Sequence, residues 1–284
     1  MSSVNSGILA GLIGKGIQAS RTPAMHEREG DAQGLRYLYR LIDLDQLDLD
    51  LDALPSLLDA AQHMGFTGLN ITFPAKQAII PLLDELSSEA RGIGAVNTVV
   101  LKDGKRVGHN TDCLGFAEGL RRGLPNVARR RVVQMGAGGA GAAVAHALLA
   151  EGVERLCIFE VEPGRAQALA DNLNAHFGSE RAIAGNDLAG EVAAADGLVN
   201  TTPVGMAKLP GTPLPVELLH AELWVAEIIY FPLETELLRH ARALGCRTLD
   251  GGTMAVFQAV KAFELFSGRP ADAERMQAHF ASFS

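Results

Sequence analysis

The sequence has few cysteines, no long apolar run and no excess of positive charge. Its three cysteines, Cys113, Cys157 and Cys246, are widely spaced and form no CxxC pair. Neither a disulfide framework nor a cysteine-based zinc site is therefore expected. No stretch of 18 uncharged apolar residues occurs, which excludes a transmembrane helix. The 25 lysines and arginines stand against 33 aspartates and glutamates, a net charge of −8, and this balance disfavours nucleic acid and anionic membranes as partners.

Two further absences concern location and metal binding. No basic residue precedes the apolar run at 7–13, since the first is Lys15, so we expect no export signal. Free thiols are typical of a reducing compartment, and a cytoplasmic protein is expected. His26-Glu27 begins like the zinc motif HExxH, but Gly30 stands where the second histidine should be. We therefore expect no metal site.

The remaining composition is that of an α/β protein with two domains. The chain has 284 residues, 48% of them hydrophobic, and its 31 glycines cluster at turns between apolar runs. The first half predicts mixed strands, including a hairpin at Asp103-Gly104, and a helix from 23 to 34 with Thr22 as N-cap. The Leu/Asp alternation at 43–52 is interpreted as an exposed connection. A regular strand–helix rhythm follows a boundary at 110–125 and predicts a parallel sheet.

The clearest motif is a glycine loop between a strand and a helix. Residues 132–141 read VVQMGAGGAG, with Gly136, Gly138 and Gly141 at the three positions of GxGxxG. These glycines permit a tight turn, backbone approach to a pyrophosphate, and close helix–strand packing. Glu160 follows nineteen residues after the last glycine, at the end of the next predicted strand. A carboxylate there can accept hydrogen bonds from ribose hydroxyls, so the segment predicts dinucleotide binding rather than a mere packing turn.

Three other segments place polar residues at strand ends: NITFPAK at 70–76, GAVNT at 94–98 and GHNTD at 108–112. Singly, each has a structural interpretation: Lys76 as a solvated lysine, Asn97 as a turn residue and Asp112 as a helix cap. Beside a dinucleotide site, a lysine and an aspartate within hydrogen-bond reach could move a proton while hydride leaves an alcohol carbon. The asparagines and hydroxyls would hold a polyol.

This ordered set, continued by NTTPVGM, the Tyr-Phe-Pro at 230–232 and Gln258, resembles the shikimate dehydrogenase family from Leu12 to Gly268. The resemblance implies reversible oxidation of the ring hydroxyl of shikimate to 3-dehydroshikimate with a nicotinamide cofactor; some members act on quinate. It also implies the fold: a mixed-sheet α/β substrate domain at 1–111, completed by C-terminal helices at 252–284, and a doubly wound Rossmann-type dinucleotide-binding domain at 112–251.

The resemblance assigns roles to individual residues. Lys76 and Asp112 match the catalytic pair, with the lysine as the usual acid/base and the aspartate orienting it or sharing the proton. The residues that match substrate contacts are Ser20, Thr22, Asn70, Thr72, Asn97, Tyr230 and Gln258. The residues that match the cofactor site are Gly136, Ala137, Gly138, Gly139, Ala140, Gly141, Glu160, Asn200, Thr201, Thr202, Pro203, Ile228 and Gly251.

Two departures from the family pattern bear on specificity. Many NADP-using members carry Asn-Arg-Thr or Asn-Arg-Ser where this chain has Glu160-Val161-Glu162, so NAD is predicted as the preferred cofactor, with NADP as a second. Thr22 replaces a serine of the substrate pocket. The segment SRTPAMHEREG at 20–30 resembles the NAD-dependent quinate/shikimate branch and its aminoshikimate-type relatives.

Several interpretations remain open at this stage. The leading one is an NAD-preferring shikimate dehydrogenase, and a quinate or an aminoshikimate/aminoquinate dehydrogenase is the alternative within the class. A ligand sensor on the same fold is a distant alternative, against which the retention of Lys76 and Asp112 counts. Another two-domain dehydrogenase would need a different constellation in the first 110 residues. The partner is expected to be a small molecule, and the protein a monomer or a homodimer.

Overall fold

The structure, a computed structural model, describes residues 7–282, whose contacts divide the chain into two compact units. Among the described residues, the first unit comprises 7–111 and 258–282, and the second runs from Asp112 to Phe257. The division predicted from sequence lay at 111/112 and 251/252. The substrate and cofactor roles given to the two units stay predictions at this point.

The first unit is built on a mixed six-stranded sheet in the order β2-β1-β3-β5-β6-β4. Its strands are β1 (Ile8–Gly14), β2 (Tyr37–Asp43), β3 (Gly68–Ile71), β4 (Glu85–Leu86), β5 (Thr98–Lys102) and β6 (Lys105–His109). β1 is parallel to both β2 and β3, whereas β5 is antiparallel to β3 and to β6. The predicted hairpin is confirmed: Asp103 and Gly104 both take positive φ between β5 and β6, as a tight hairpin turn requires.

Helices cover both faces of this sheet. They are α1 (Thr22–Ala32), α2 (Leu54–His63), α3 (Ala75–Ala78), α4 (Ser88–Ile93), α11 (Ala273–Ala281) and the later part of α10 (Gly251–Ser267). One core lies under α2, and the other joins the β2 tyrosines to Phe263 and Phe266 of α10. Helix α11 is fixed to α1 by an ion pair between Arg275 Nη2 and the buried Glu29 Oε1 at 2.7 Å. The C-terminal helices therefore belong largely to the first unit.

The second unit contains an all-parallel sheet in the order β12-β11-β10-β7-β8-β9. Its strands are β7 (Arg131–Met135), β8 (Arg155–Phe159), β9 (Ala182–Ala184), β10 (Gly197–Asn200), β11 (Trp224–Glu227) and β12 (Arg247–Leu249). Its helices are α5 (Thr111–Gly123), α6 (Gly139–Ala150), α7 (Arg165–Phe177), α8 (Leu188–Ala193) and α9 (Glu236–Ala243). The strand order reverses between the neighbours β7 and β10. This is the Rossmann arrangement, which binds ligands beyond the carboxyl ends of the strands at that reversal.

Two local predictions were wrong in part. Thr22 is the first residue of α1 rather than its N-cap, and Ser20 Oγ accepts the Thr22 amide hydrogen at 3.3 Å. The segment 43–52 is largely exposed as predicted, but it opens with Asp43 and Leu44, which are both buried. Periodicity cannot reveal a buried acid whose partners Gly16, Ile17 and Gln18 lie 25 to 27 residues away.

Among residues 7–282, no helix is long and apolar enough to cross a membrane. The same residues contain no cluster of three or more metal-ligating side chains.

Candidate active site

The loop that carries Ser20 is held by a carboxylate from the neighbouring strand. Asp43 ends β2, and its Oδ1 accepts the amide hydrogen of Gly16 at 3.0 Å while Oδ2 accepts that of Ile17 at 3.1 Å. Gln18 Nε2 donates to the same carboxylate at 2.9 Å. Burial opposes ionisation, but these hydrogen bonds outweigh it and lower the pKa of Asp43. The loop between β1 and α1 is thereby fixed, and both Ser20 and Thr22 remain partly exposed beside it.

Asn70 and Asn97 lie on one buried hydrogen-bond network. Asn70 Nδ2 donates to Thr98 Oγ1 at 2.9 Å, and Thr98 Oγ1 donates to Asn97 Oδ1 at 3.0 Å. Asn97 Oδ1 also accepts the Thr111 amide hydrogen at 2.7 Å. All four residues are less than 5% exposed. The network links the ends of β3, β5 and β6 and fixes the direction of each amide.

A main-chain hydrogen bond places Lys76 next to this network. Lys76 is the second residue of α3, the helix that follows β3, and Val96 donates its amide hydrogen to the Lys76 carbonyl at 2.8 Å. Val96 precedes Asn97. Thr72 lies between β3 and α3 and is partly exposed. Its methyl group packs closely on Gly14, because a Cβ added to Gly14 would lie 2.3 Å from that methyl carbon.

Asp112 follows Thr111, the far end of the same network. It is the second residue of α5 and 8% exposed, so it lies inside the first helical turn. Asn110 Nδ2, one residue before Thr111, donates to the Ala95 carbonyl at 2.9 Å. The GHNTD segment is thus fixed by hydrogen bonds at Asn110 and Thr111.

The glycine loop has the shape its sequence predicted. Gly136 takes φ +101°, and a Cβ there would lie 2.7 Å from Thr201 Oγ1. A Cβ on Gly141 would lie 2.6 Å from the Gly136 carbonyl oxygen, which is close helix–strand packing. Gly138 precedes α6, whose first residues are Gly139 and Ala140. The three glycines therefore present no Cβ to an approaching pyrophosphate, and this cradle fits a dinucleotide.

Two buried polar side chains brace the loop from beneath. Gln134 lies inside β7, and its Nε2 donates to the carbonyls of Gly136 at 2.8 Å and Gly141 at 3.0 Å. Thr201 Oγ1 contacts the carbonyl oxygens of Met135 at 2.8 Å and Gly136 at 3.0 Å. Gln134 was not predicted from the sequence, although a glutamine in an otherwise apolar strand could have indicated a buried hydrogen-bonding role.

Glu160 lies just beyond β8 and binds the glycine loop directly. Its Oε2 accepts the Ala137 amide hydrogen at 2.8 Å, and its Oε1 accepts those of Val161 at 2.7 Å and Glu162 at 3.3 Å. Burial opposes ionisation, but these amides lower the pKa of Glu160, which is anionic at neutral pH. A carboxylate has about four acceptor positions, so one remains for a ribose hydroxyl.

The end of β10 is tied to a buried glutamate on β11. Asn200 donates to Glu227 Oε2 at 3.0 Å, and Glu227 Oε1 accepts the amide hydrogen of Ile228 at 3.0 Å. Burial raises the pKa of Glu227 to about 7, despite hydrogen bonds from Asn200, Thr235 and two amides. Gly251 packs against the main chain of Ile228, since a Cβ on Gly251 would lie 2.3 Å from the Ile228 carbonyl oxygen. Glu227, absent from the sequence prediction, holds Asn200 and the Ile228 amide in place.

The other predicted residues differ in exposure. Asn200 is fully buried, and its Oδ1 accepts from Thr202 N and Oγ1, so it shapes the loop. Thr202 is partly exposed and Pro203 exposed. Tyr230, in the second unit, is 42% exposed, and Gln258, in the first, lies on α10 and is partly exposed.

Known proteins resemble this chain over nearly its whole length. A family model described as the shikimate dehydrogenase substrate binding domain matches residues 12–99. A shikimate dehydrogenase (NADP(+)) from Streptomyces avermitilis is 58% identical over 97% of this chain and 96% of its own. A quinate/shikimate dehydrogenase (NAD(+)) from Corynebacterium efficiens is 54% identical, covering 97% and 98%.

The chain belongs to the shikimate dehydrogenase family.

A solved structure extends the resemblance to three dimensions. The quinate dehydrogenase from Corynebacterium glutamicum in complex with NAD superposes with a TM-score of 0.93 at 51% identity, covering 97% of this chain and 99% of its own. The α/β architecture predicted from sequence is therefore confirmed. Because NADP-named and NAD-named members of the family are similarly close, overall identity does not decide the cofactor, and individual residues must.

Proposed function

We propose that the protein reversibly oxidises the ring hydroxyl of shikimate to 3-dehydroshikimate, with NAD preferred over NADP. The observation that carries the proposal is the buried network through Asn70, Asn97 and Thr111. Asp112 directly follows Thr111, and the Lys76 carbonyl accepts the amide hydrogen of Val96, the residue before Asn97. This arrangement combines groups that recognise hydroxyls with groups that transfer protons.

The proton step falls to Lys76 and Asp112. As hydride leaves the carbinol carbon, the O–H bond breaks and its proton passes to the Lys76 amine, while the electron pair of that bond forms the ketone. Asp112 orients the lysine or shares the proton. In the reverse direction Lys76 returns the proton to the developing alkoxide. Such acid–base terms contribute about 10²–10⁴-fold to the rate.

Substrate binding falls to hydroxyl and amide groups of the first unit. Asn70, Thr72 and Asn97 are assigned to the ring hydroxyls, and Ser20 and Thr22 to the carboxylate. The Asp43 hydrogen bonds support this assignment because they hold the serine loop in one conformation. Preorganised donors bind a ligand without the entropic cost of ordering a loop. Tyr230 and Gln258 are assigned to the substrate by resemblance alone.

The second unit is assigned to the dinucleotide. When bound, NAD supplies the carbon that accepts the hydride. The main-chain cradle from Gly136 to Gly141 is assigned to the pyrophosphate. The segment from Asn200 to Pro203, together with Ile228 and Gly251, is assigned to the nicotinamide.

Glu160 supports the preference for NAD. Its remaining acceptor position suits the 2′-hydroxyl of NAD, since a charged acceptor strengthens a hydrogen bond. The 2′-phosphate of NADP would place negative charge beside the same carboxylate. Val161, 97% exposed, stands where NADP-using relatives carry an arginine, so this position offers no guanidinium clamp.

Quinate is the second candidate substrate. The relative from Corynebacterium efficiens is a quinate/shikimate dehydrogenase, and the structural neighbour from Corynebacterium glutamicum is a quinate dehydrogenase. Thr22 supports this candidate because it departs from the serine of many family members within the segment that resembles that branch. The amino analogues remain an alternative within the same chemistry.

Steady-state kinetics with shikimate and quinate, each with NAD and NADP, test the proposal. Turnover of shikimate with a higher kcat/KM for NAD is expected. If the protein turned over quinate but not shikimate, quinate would be the substrate instead. If it turned over neither acid, the proposed reaction would be refuted.

A further inference from the structure

Strand β2 carries two buried tyrosines whose hydroxyl groups have different partners. Tyr37 is 5% and Tyr39 4% exposed, and both belong to the core that faces α10. The Tyr37 hydroxyl pairs with His26 Nδ1 at 2.8 Å. The Tyr39 hydroxyl instead donates to Asn70 Oδ1 at 2.7 Å. One tyrosine is therefore bonded within the core, and the other to a residue assigned to the substrate.

Tyr39 reaches Asn70 across an intervening strand. β1 lies between β2 and β3 in the sheet, and Ala10 of β1 is aligned with both Tyr39 and Gly68. Asn70 lies two residues beyond Gly68 and therefore points to the same face of the sheet. The Phe266 ring packs over Gly68 on this face, since a Cβ there would lie 2.2 Å from it. No spacing in the sequence links residues 39 and 70.

The hydrogen bond from Tyr39 determines which atoms of Asn70 remain for a ligand. The hydroxyl satisfies the amide oxygen, so the amide nitrogen points the other way. That nitrogen has two hydrogens, of which one goes to Thr98 Oγ1 at 2.9 Å. The nearest partner of the second is the Asn97 carbonyl oxygen at 3.4 Å, a long contact. A substrate hydroxyl acting as acceptor would compete with this long contact for the second hydrogen.

We propose that Tyr39 is a positioning residue for substrate binding, which holds Asn70 with its amide nitrogen towards the ring hydroxyls of the acid. The inference rests on the proposed function, because it requires Asn70 to contact the substrate. Tyr39 acts through Asn70 and does not touch the substrate itself. Without its hydroxyl the amide oxygen is left buried and unpaired, and the side chain turns to satisfy it at the expense of the substrate.

The test is a set of isosteric substitutions with a matched control. Tyr39→Phe is expected to raise KM for shikimate about tenfold, the scale of one hydrogen bond, with little change in kcat or in KM for NAD. Tyr37→Phe removes an equally buried hydroxyl from the same strand and should leave all three constants nearly unchanged. Thr98→Val removes the acceptor on the opposite side of the Asn70 amide and should also raise KM for shikimate. Thermal unfolding of each variant checks that it is folded.

A double-mutant cycle completes the test. Asn70→Ala should weaken shikimate binding, and Tyr39→Phe should then add nothing, since its effect passes through Asn70. Additive effects, equal effects of Tyr39→Phe and Tyr37→Phe, or an unchanged KM in Tyr39→Phe would each overturn the inference. A wild-type protein that turns over neither acid would instead refute the proposed function. A normal KM in Asn70→Ala would remove the role of Asn70, and this inference with it.

Discussion

Replacing Glu160 should change the cofactor preference of the protein more than any other single substitution. Three main-chain amides hold this carboxylate at the glycine loop, and they lower its pKa. NAD gains a charge-assisted hydrogen bond there, and NADP meets a like charge. Together these effects are worth about 2–4 kcal/mol, or roughly a 30- to 1,000-fold preference for NAD.

Arg165 is a nearby cation that reduces this preference. Its Nη2 lies 3.6 Å from where a Cβ of Gly138 would be, so the guanidinium is close to the glycine loop. It is paired with Glu162 at 2.7 Å, and the two side chains are 45% and 61% exposed. An exposed pair contributes at most about 1 kcal/mol, so a 2′-phosphate could draw Arg165 away. We therefore expect a preference near the lower end of the range.

The assay is kcat/KM for NAD and for NADP with shikimate at fixed ionic strength. Glu160→Gln, which keeps the size of the side chain and removes its charge, should lower the NAD/NADP ratio at least about tenfold. Glu160→Asn/Val161→Arg should lower it further by adding a phosphate clamp. Glu154→Gln makes the same change of net charge just before β8 and should leave the ratio unaltered. Wild-type preference for NADP, or an unchanged ratio in Glu160→Gln, would refute the reasoning.

Three further substitutions test the catalytic assignments and the buried acid of the second unit. Lys76→Ala should lower kcat by about 10²–10⁴-fold with a smaller effect on KM; a raised KM with intact kcat in steady-state kinetics would make Lys76 a binding residue. Asp112→Asn should remain folded by thermal unfolding but lose most turnover; normal turnover with a lowered melting temperature would make Asp112 structural. Glu227 has a pKa raised from 4.5 to about 7, so between these pH values the native state binds a proton that the unfolded state has released. Its contribution to stability is therefore complete below pH 4.5 and falls by about 3 kcal/mol as pH rises to 7. Urea unfolding at several pH values should show this loss reduced in Glu227→Gln, and identical pH profiles would contradict the assignment.

The sequence was sufficient to predict those features of the fold and the site that depend on residues close together in the chain. The glycine loop, the Asp103-Gly104 hairpin and the parallel sheet of the second unit all follow from local periodicity and turn chemistry. The spacing from Gly141 to Glu160 follows from one strand–helix–strand unit, whose length is set by its own elements.

Supporting contacts between distant residues could not be predicted in this way. Asp43 meets Gly16 across 27 positions, Glu227 meets Asn200 across 27, and Tyr39 meets Asn70 across 31. The first two pairs join the ends of neighbouring strands, whereas Tyr39 reaches Asn70 across the intervening strand β1. A hydrophobic pattern records which face of a strand is buried, but not which strand lies beside it. These residues are also the ones that orient the predicted site.

Direct transfer of hydrogen between substrate and cofactor tests the central claim most directly. Shikimate carrying deuterium on the carbon of the oxidised hydroxyl should be incubated with the wild-type protein and NAD, and the reduced cofactor analysed by mass spectrometry. The account predicts one deuterium in each NADH formed and a slower turnover than with unlabelled shikimate. Unlabelled NADH, or no NADH at all, would contradict it.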